Sequence, residues 1–128
     1  MANSKKILTD NVQFTVPSTS DIDQAIAPEA MQARVTDIAT ALSTMHGGCT
    51  AQGQGQGFWV SDSGALIAEQ VVVVTSDCTR GEAQAKHGEL KALAKTKAKE
   101  WGQESIRISS NGEGDFIGVS IDTTEVRQ

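Results

Sequence analysis

Four consecutive valines, Val71–Val74, constrain the fold more than any other feature of the chain. Side chains alternate between the two faces of a strand, so a run without a polar position leaves no face suited to water. Valine also favours strands over helices because it is branched at Cβ. The block therefore predicts a strand over residues 65–75 that lies at the centre of a sheet.

The other elements follow from periodicity and from residues that begin or end helices. Val12–Val16 alternates apolar and polar residues, and Pro17 ends it. Apolar residues recur at helical spacing after Pro28, and Gly47 and Gly48 stop that run. In chain order, these patterns predict a strand at 12–16, a helix from Pro28 to Met45, a glycine-rich strand ending at Val60, the valine strand, a helix at 82–101, and strands at 105–109 and 116–121 joined by a turn at 111–114.

This order of elements predicts an α+β protein with a ferredoxin-like βαββαβ sandwich. Such a fold has an antiparallel sheet, two helices on one face, and here a C-terminal β-hairpin. Its first and third strands are central, which fits the valine block, and its second strand lies at an edge. We expect a flexible N-terminal segment at 1–12, a single domain at 13–121 and a polar tail at 122–128.

Composition narrows the classes of partner. The net charge of −5 disfavours non-specific capture of nucleic acid. The longest apolar runs have four residues and no signal-peptide pattern opens the chain, so we expect no membrane partner and a cytoplasmic location, in the host cell if a phage encodes the chain. Two cysteines do not make a disulfide framework and are expected as free thiols. Helices on one side leave a sheet face uncovered, which predicts a homo-oligomer, by default a dimer.

The segment from Gly47 to Trp59 concentrates glycine and glutamine. If it is extended, Gly53, Gly55, Gly57 and Trp59 share one face. Glycine weakens a strand by about 0.5–1 kcal/mol relative to alanine, so the repeat needs a reason. Three reasons stay open: a ligand or partner backbone approaches the bare face, a helix packs against it, or the segment is a flexible loop.

Several polar and aromatic residues around this segment are candidates for ligand binding. Trp59 is suited to stacking on a flat ligand. Glu69 and Glu104 could perform acid–base work or hold hydroxyl and amino groups, although a solvent-facing position is the simpler interpretation of each. Arg107 could contact a phosphate. The predicted ligand-binding set is completed by the amides of Gln52, Gln54 and Gln56.

Known catalytic and metal-binding motifs are missing from the sequence. His46, Cys49, Cys78 and His87 have side chains that bind zinc, but their spacings match no known zinc motif. A cysteine–histidine nucleophile would need an orienting third group that the sequence does not identify. We therefore predict no catalytic residue, no metal and no cofactor.

Four segments together resemble a pattern found in small phage and bacterial proteins. They are Gly47–Thr50, Gly55–Trp59, Gly64–Glu69 and Trp101–Ile106, which match a helix ending in Gly-Gly-x-Thr, a Gly-x-Gly-x-Trp strand, a Gly-x-Leu/Ile-x-x-Glu hairpin and a Gly-Gln-Glu before the last strand. The resemblance covers roughly residues 30–120. It implies a ferredoxin-like fold and a phage origin rather than a particular activity.

The favoured function is a non-catalytic, ligand-binding or ligand-sequestering oligomer of phage type. Capture of a nucleotide signal of host immunity is one form of this anti-defence role, by analogy in size and oligomeric build alone. One alternative is a structural or interaction protein of a virion or of a host-takeover complex. A second alternative is a small enzyme that uses Glu69 and Glu104.

Overall fold

An antiparallel sheet of five strands organises the molecule, whose computed structural model describes residues 7–21 and 24–118. The spatial order of the strands is β4-β5-β1-β6-β7, and a separate two-stranded ribbon pairs β2 with β3. In chain order the elements are β1 (Asp10–Pro17), β2 (Thr19–Ser20), β3 (Gln24–Ala25), α1 (Pro28–His46), β4 (Thr50–Val60), β5 (Leu66–Cys78), α2 (Glu82–Ala85), α3 (His87–Glu100), β6 (Ser105–Ser110) and β7 (Glu113–Gly118).

The predicted α+β, ferredoxin-like order is confirmed. The valine block lies in β5, which is flanked by β4 and β1 as a central strand should be. The glycine-rich strand β4 is at the edge, as predicted. The C-terminal hairpin joins β6 to β7 through Asn111 and Gly112, whose φ angles of 52° and 85° are those that an Asn-Gly hairpin turn requires.

The hydrophobic core lies between the helices and one face of this sheet. Phe14 pairs with Val74 in register, and Val12, Phe14 and Val16 are buried on that face. The ring of Trp101 meets Phe14 edge-on, with centroids 6.3 Å apart and planes at 82°. The helices contribute the buried residues Ile38, Leu42, Leu90, Ala94 and Ala98.

The predicted single helix at 82–101 is wrong, because the chain forms α2 and α3 with a break at Lys86. Lys86 leaves the helical region at φ −106° and ψ 11°. At the break, its ammonium group donates a hydrogen bond of 2.7 Å to the carbonyl of Met45 at the end of α1. Gly88, a weak helix former, lies two residues beyond the break.

The first strand extends further than its apolar pattern, since β1 begins at Asp10. The Asp10 carboxylate accepts hydrogen bonds from the backbone N–H groups of Gly81 (2.7 Å) and Ala83 (3.4 Å), which ties this end of the strand to α2. Residues 1–6, residues 119–121 of the predicted last strand and the tail at 122–128 lie outside the described ranges. No helix within those ranges is long and apolar enough to cross a membrane.

Strand β4 contains one extra residue between Gln52 and Gly55 relative to its partner β5. Gln52 pairs with Val73, whereas Gly55 pairs with Val71. The predicted alternation therefore holds from Gly55 to Trp59 but is wrong across Gly53, because such a bulge interrupts the period of two.

Candidate ligand-binding groove

A groove of about 410 Å³ lies on the sheet face opposite the helices, where β1 ends. Its floor comes from β5 and β1, and its sides come from β4, from β6 and β7, and from the segment that joins α3 to β6. The lining residues are Thr15, Pro17, Gly57, Phe58, Trp59, Glu69, Val71, Gln103, Glu104, Ser105, Ile106, Arg107 and Phe116.

The glycine at the edge of this groove keeps its floor accessible. Gly57 pairs with Glu69 across the β4–β5 ladder, and Trp59 pairs with Ile67 two positions along. A Cβ atom at Gly57 would contact Cγ1 of Val71 at 3.5 Å, an ordinary packing distance. A side chain here would fit the sheet but fill the groove. The close neighbour of this bare face is thus Val71 of the same sheet and not a helix.

Glu69 lies beyond the end of β1, because Pro17 pairs with Val71 and β1 continues no further. The hydroxyl of Thr19, which follows the strand, donates a hydrogen bond of 2.7 Å to Oε2 of Glu69. Thr19 is buried, so this bond fixes the orientation of one carboxylate at the floor of the groove.

Arg34 and Gln103 fix the position of Thr19. The buried Arg34 guanidinium donates hydrogen bonds to the carbonyls of Pro17 (2.7 Å) and Thr19 (2.9 Å), and the Gln103 amide also donates to the Thr19 carbonyl. Arg34 lies 4.9 Å from the ring centroid of Trp101 and makes a longer bond of 3.5 Å to its carbonyl. Burial lowers the pKa of Arg34, against the opposing charges of Glu69 and Glu100.

Arg107 and Phe116 form the opposite side as a cross-strand pair between β6 and β7. Phe116 is 68% exposed, which is unusual for a phenyl ring and leaves it available to a ligand or a partner. The Arg107 side chain lies directly over Gly114, where an added Cβ would come within 2.6 Å of Nη2. Gly114 therefore provides the room in which the guanidinium rests.

The structure divides the predicted ligand-binding residues between two grooves. Four of them, Trp59, Glu69, Glu104 and Arg107, line the groove described above. Gln52 and Gln54 line a second groove between α1 and the sheet, which Glu69 also borders. Gln56 lines neither of these two grooves and pairs with Gln70 on an exposed part of the ladder. The single site that included all three glutamines is therefore not formed within one chain.

Sequence reasoning missed Arg34, Thr19 and Gln103. Arg34 precedes the buried Ile38 by four residues, so its place on the buried face of α1 was available from helical spacing. Gln103 belongs to the Gly-Gln-Glu of the resemblance pattern, which gave it no role, and Thr19 carries no signal because its role depends on contacts across the fold.

The four zinc-binding side chains noted in the sequence do not form one cluster, because Cys49 and His87 make contacts elsewhere. The thiol of Cys49 contacts the carbonyl of Ala39 at 3.5 Å and the hydroxyl of Ser43 at 3.4 Å. Nδ1 of His87 is 3.1 Å from the Ser110 hydroxyl. Both cysteines are free thiols, as expected.

The charges of the groove suit a cation of modest size. Two carboxylates and one guanidinium give a formal sum of −1, and aromatic rings stand at its sides. Carboxylates neutralise a positive ligand, and an indole or phenyl face attracts both cations and flat bases. Hydrogen bonding by carboxylates and a guanidinium adds selectivity for amino, hydroxyl and carboxylate groups.

Comparison with known proteins gives structural matches alone, since no family model and no curated protein matches the chain. A phage SAM lyase in complex with S-methyl-5'-thioadenosine superposes with a TM-score of 0.65, at 16% identity, over 89% of this chain and 95% of that one. A phage SAM lyase in its apo state gives a TM-score of 0.59 at 18% identity, over 85% and 88% of the two chains. At these identities the likeness establishes a shared ferredoxin-like fold.

Proposed function

We propose that this chain binds S-adenosylmethionine (SAM) in the groove and cleaves it to S-methyl-5'-thioadenosine. The observation that carries the proposal is the convergence of Glu69, Glu104, Arg107 and Trp59 on one groove with a formal charge of −1. SAM carries a sulfonium, an ammonium and a carboxylate, which sum to +1. The shared fold with a SAM lyase that binds the proposed product supports the same assignment.

Each chemical part of SAM has a counterpart among the lining residues. The adenine ring fits against Trp59 or Phe116, since both offer an aromatic face. The two glutamates suit the ammonium group and the ribose hydroxyls, and Glu69 is already oriented by Thr19. Arg107 suits the carboxylate of the amino-acid chain, because a guanidinium binds a carboxylate through two parallel hydrogen bonds.

The proposed reaction needs no co-reactant. The carboxylate oxygen of SAM attacks the carbon that joins the amino-acid chain to sulfur, a C–O bond forms, and the C–S bond breaks with its electron pair going to sulfur. The products are S-methyl-5'-thioadenosine and a lactone of the amino-acid chain. Because the leaving thioether is neutral, no proton has to be delivered to it. The glutamates therefore serve to position and bend the chain rather than as a general acid and base.

The phage-type, anti-defence role expected from the sequence follows from this chemistry as part of the proposal. Cleavage would remove SAM, which host enzymes use as a methyl donor and as a source of nucleoside. A protein that bound SAM without cleaving it would act by sequestration instead, which is the function favoured from the sequence.

The experiment is incubation of the purified chain with SAM, followed by chromatography and mass spectrometry of the products. SAM without protein controls for spontaneous breakdown. We expect S-methyl-5'-thioadenosine to form catalytically and Glu69→Gln to reduce the rate by at least about 100-fold, the order of loss when a reacting group is misplaced by about 1 Å. Glu89→Gln is the matched control, because Glu89 is exposed in the first turn of α3 and does not line the groove.

Calorimetric titration with SAM separates the possible results. SAM that binds at one site per chain and is recovered intact would replace cleavage by sequestration. Absence of both binding and product would refute the assignment of this groove to SAM.

A further inference from the structure

Three metal-binding side chains meet on the helix side of the sheet, away from the SAM groove. His46 ends α1, Cys78 ends β5 and Glu82 begins α2. A ring nitrogen of His46, Sγ of Cys78 and a carboxylate oxygen of Glu82 all lie within 4.8 Å of one another. Three separate elements thus bring together an imidazole, a thiol and a carboxylate, the ligand types that zinc takes in proteins.

The buried imidazole of His46 faces Glu82 without a short hydrogen bond at Nδ1. Its side chain is 1% exposed, and Nδ1 has no hydrogen-bond partner of ordinary length among the described residues. Oε2 of Glu82 lies 3.5 Å from it. That separation is close to the edge of a tetrahedron built from zinc–nitrogen and zinc–oxygen bonds of about 2.0–2.2 Å, which is about 3.4 Å. An unpaired buried nitrogen is costly, whereas a bound metal would satisfy it.

The surroundings of the three groups favour a divalent cation. Cys78 is 1% exposed. The carboxylates of Glu82, Asp10 and Asp77 act on its thiol as negative charges, and the ammonium of Lys86 opposes them. Zinc would deprotonate the thiol, and one thiolate with one carboxylate balances the charge of Zn²⁺.

Glu82 is oriented by contacts of the kind that support metal ligands. Its Oε1 accepts hydrogen bonds from the backbone N–H (3.1 Å) and the hydroxyl (3.0 Å) of Thr79, which leaves Oε2 towards His46. The Lys86 ammonium lies 3.8 Å from Oε2 but is anchored on the Met45 carbonyl. Such outer contacts fix a ligand's direction before the metal arrives.

We propose that His46, Cys78 and Glu82 form a zinc-binding site that ties the end of α1 to β5 and α2. Three protein ligands leave a fourth tetrahedral position for water. The sequence spacing that argued against zinc considered Cys49 and His87 and omitted Glu82. This inference is independent of the SAM groove.

The test uses cobalt as a spectroscopic substitute for zinc in the full chain. Thiolate coordination of Co²⁺ gives an intense charge-transfer band in the near ultraviolet, and tetrahedral geometry gives visible bands. We expect both in the wild type with one equivalent of metal, with displacement by zinc. Cys78→Ser should abolish the charge-transfer band, whereas Cys49→Ser, which removes the other thiol, should leave it unchanged.

Glu82→Gln is a second variant in case Cys78→Ser does not fold. The Glu82 side chain is partly exposed, and the amide oxygen of glutamine can still accept a hydrogen bond from Thr79. Glu82→Gln should weaken zinc binding at least about 10-fold, the lower range for perturbing even an outer-shell group. Zinc should also raise the melting temperature of the wild type and not of Glu82→Gln. No thiolate band in the wild type, a band that survives in folded Cys78→Ser, or one lost in Cys49→Ser would each overturn the site.

Discussion

Replacement of Arg34 by methionine tests whether this buried guanidinium supports Thr19 and, through it, Glu69 at the floor of the groove. Methionine keeps most of the aliphatic volume but removes the donors to the Pro17 and Thr19 carbonyls, at 2.7 and 2.9 Å. Hydrogen bonds to a charged group contribute about 1.5–3 kcal/mol each, and the bond of 3.5 Å to Trp101 adds little. Loss of the buried charge also removes its desolvation cost, so we expect Arg34→Met to lower the free energy of unfolding by about 3–5 kcal/mol.

Urea denaturation measures that difference directly. For a domain of this size, a loss of about 3–5 kcal/mol should lower the melting temperature by roughly 10–20 °C. Arg34→Lys is the matched control, because it keeps the charge but offers a point donor in place of a planar fork. We expect Arg34→Lys to lower the free energy of unfolding by about half as much as Arg34→Met. A loss below about 1 kcal/mol for Arg34→Met would refute the assignment of Arg34 as the support of Thr19.

Arg34→Met should also weaken binding of S-methyl-5'-thioadenosine under conditions where the variant is still folded. The physical reason is that the Thr19 carbonyl loses a donor and the Thr19 hydroxyl then holds Glu69 less firmly. Unchanged affinity in the folded variant would show that Glu69 is oriented without this network.

Two further predictions concern β4. Gly57→Val should change the free energy of unfolding by no more than about 1 kcal/mol, since a Cβ atom here meets Val71 at an ordinary 3.5 Å, but it should weaken binding of S-methyl-5'-thioadenosine at least about 10-fold. Gly55→Val is the control and should bind normally, because Gly55 lies outside the groove lining. An equal loss of binding in both variants would contradict the placement of the groove. Light scattering of the wild type should give a mass above the 13.5 kDa of the monomer. The double variant Phe58→Ser, Leu66→Ser should have a lower mass, because these side chains are 59% and 67% exposed on the β4–β5 hairpin. A monomer mass at micromolar wild-type protein would refute oligomerisation.

The fold was predictable because its signals are local. The valine block, the alternation before Pro17 and the Asn-Gly turn each depend on neighbours within a few residues, and the βαββαβ order then leaves few topologies. The break at Lys86 was missed because periodicity continues through it. It coincides with a contact between Lys86 and Met45, residues 41 positions apart in sequence.

The groove was predictable in part for a related reason. Trp59, Glu69, Glu104 and Arg107 were selected for their chemistry near strand ends, and antiparallel pairing brings those ends together on one face. Gln52 and Gln54 were included in the same site for the hydrogen-bonding capacity of their amides, although strict alternation puts them on the face opposite Trp59. The structure places both in the second groove between α1 and the sheet, next to the extra residue of β4.

The position of Glu69 shows why the direction of a side chain in a site is harder to predict from sequence than which residues belong to that site. From sequence alone, a glutamate near the end of a strand can face solvent or a groove. Its neighbours in sequence do not distinguish these two positions. What distinguishes it is that β1 stops at Pro17, so that Thr19 occupies the place opposite Glu69 and donates to its carboxylate. Thr19 is held in turn by Arg34 from α1 and by Gln103 from the segment before β6. Four separate segments therefore determine the direction of one carboxylate. Removal of any one support should therefore loosen the direction of this carboxylate, even where the support, like Arg34, does not line the groove.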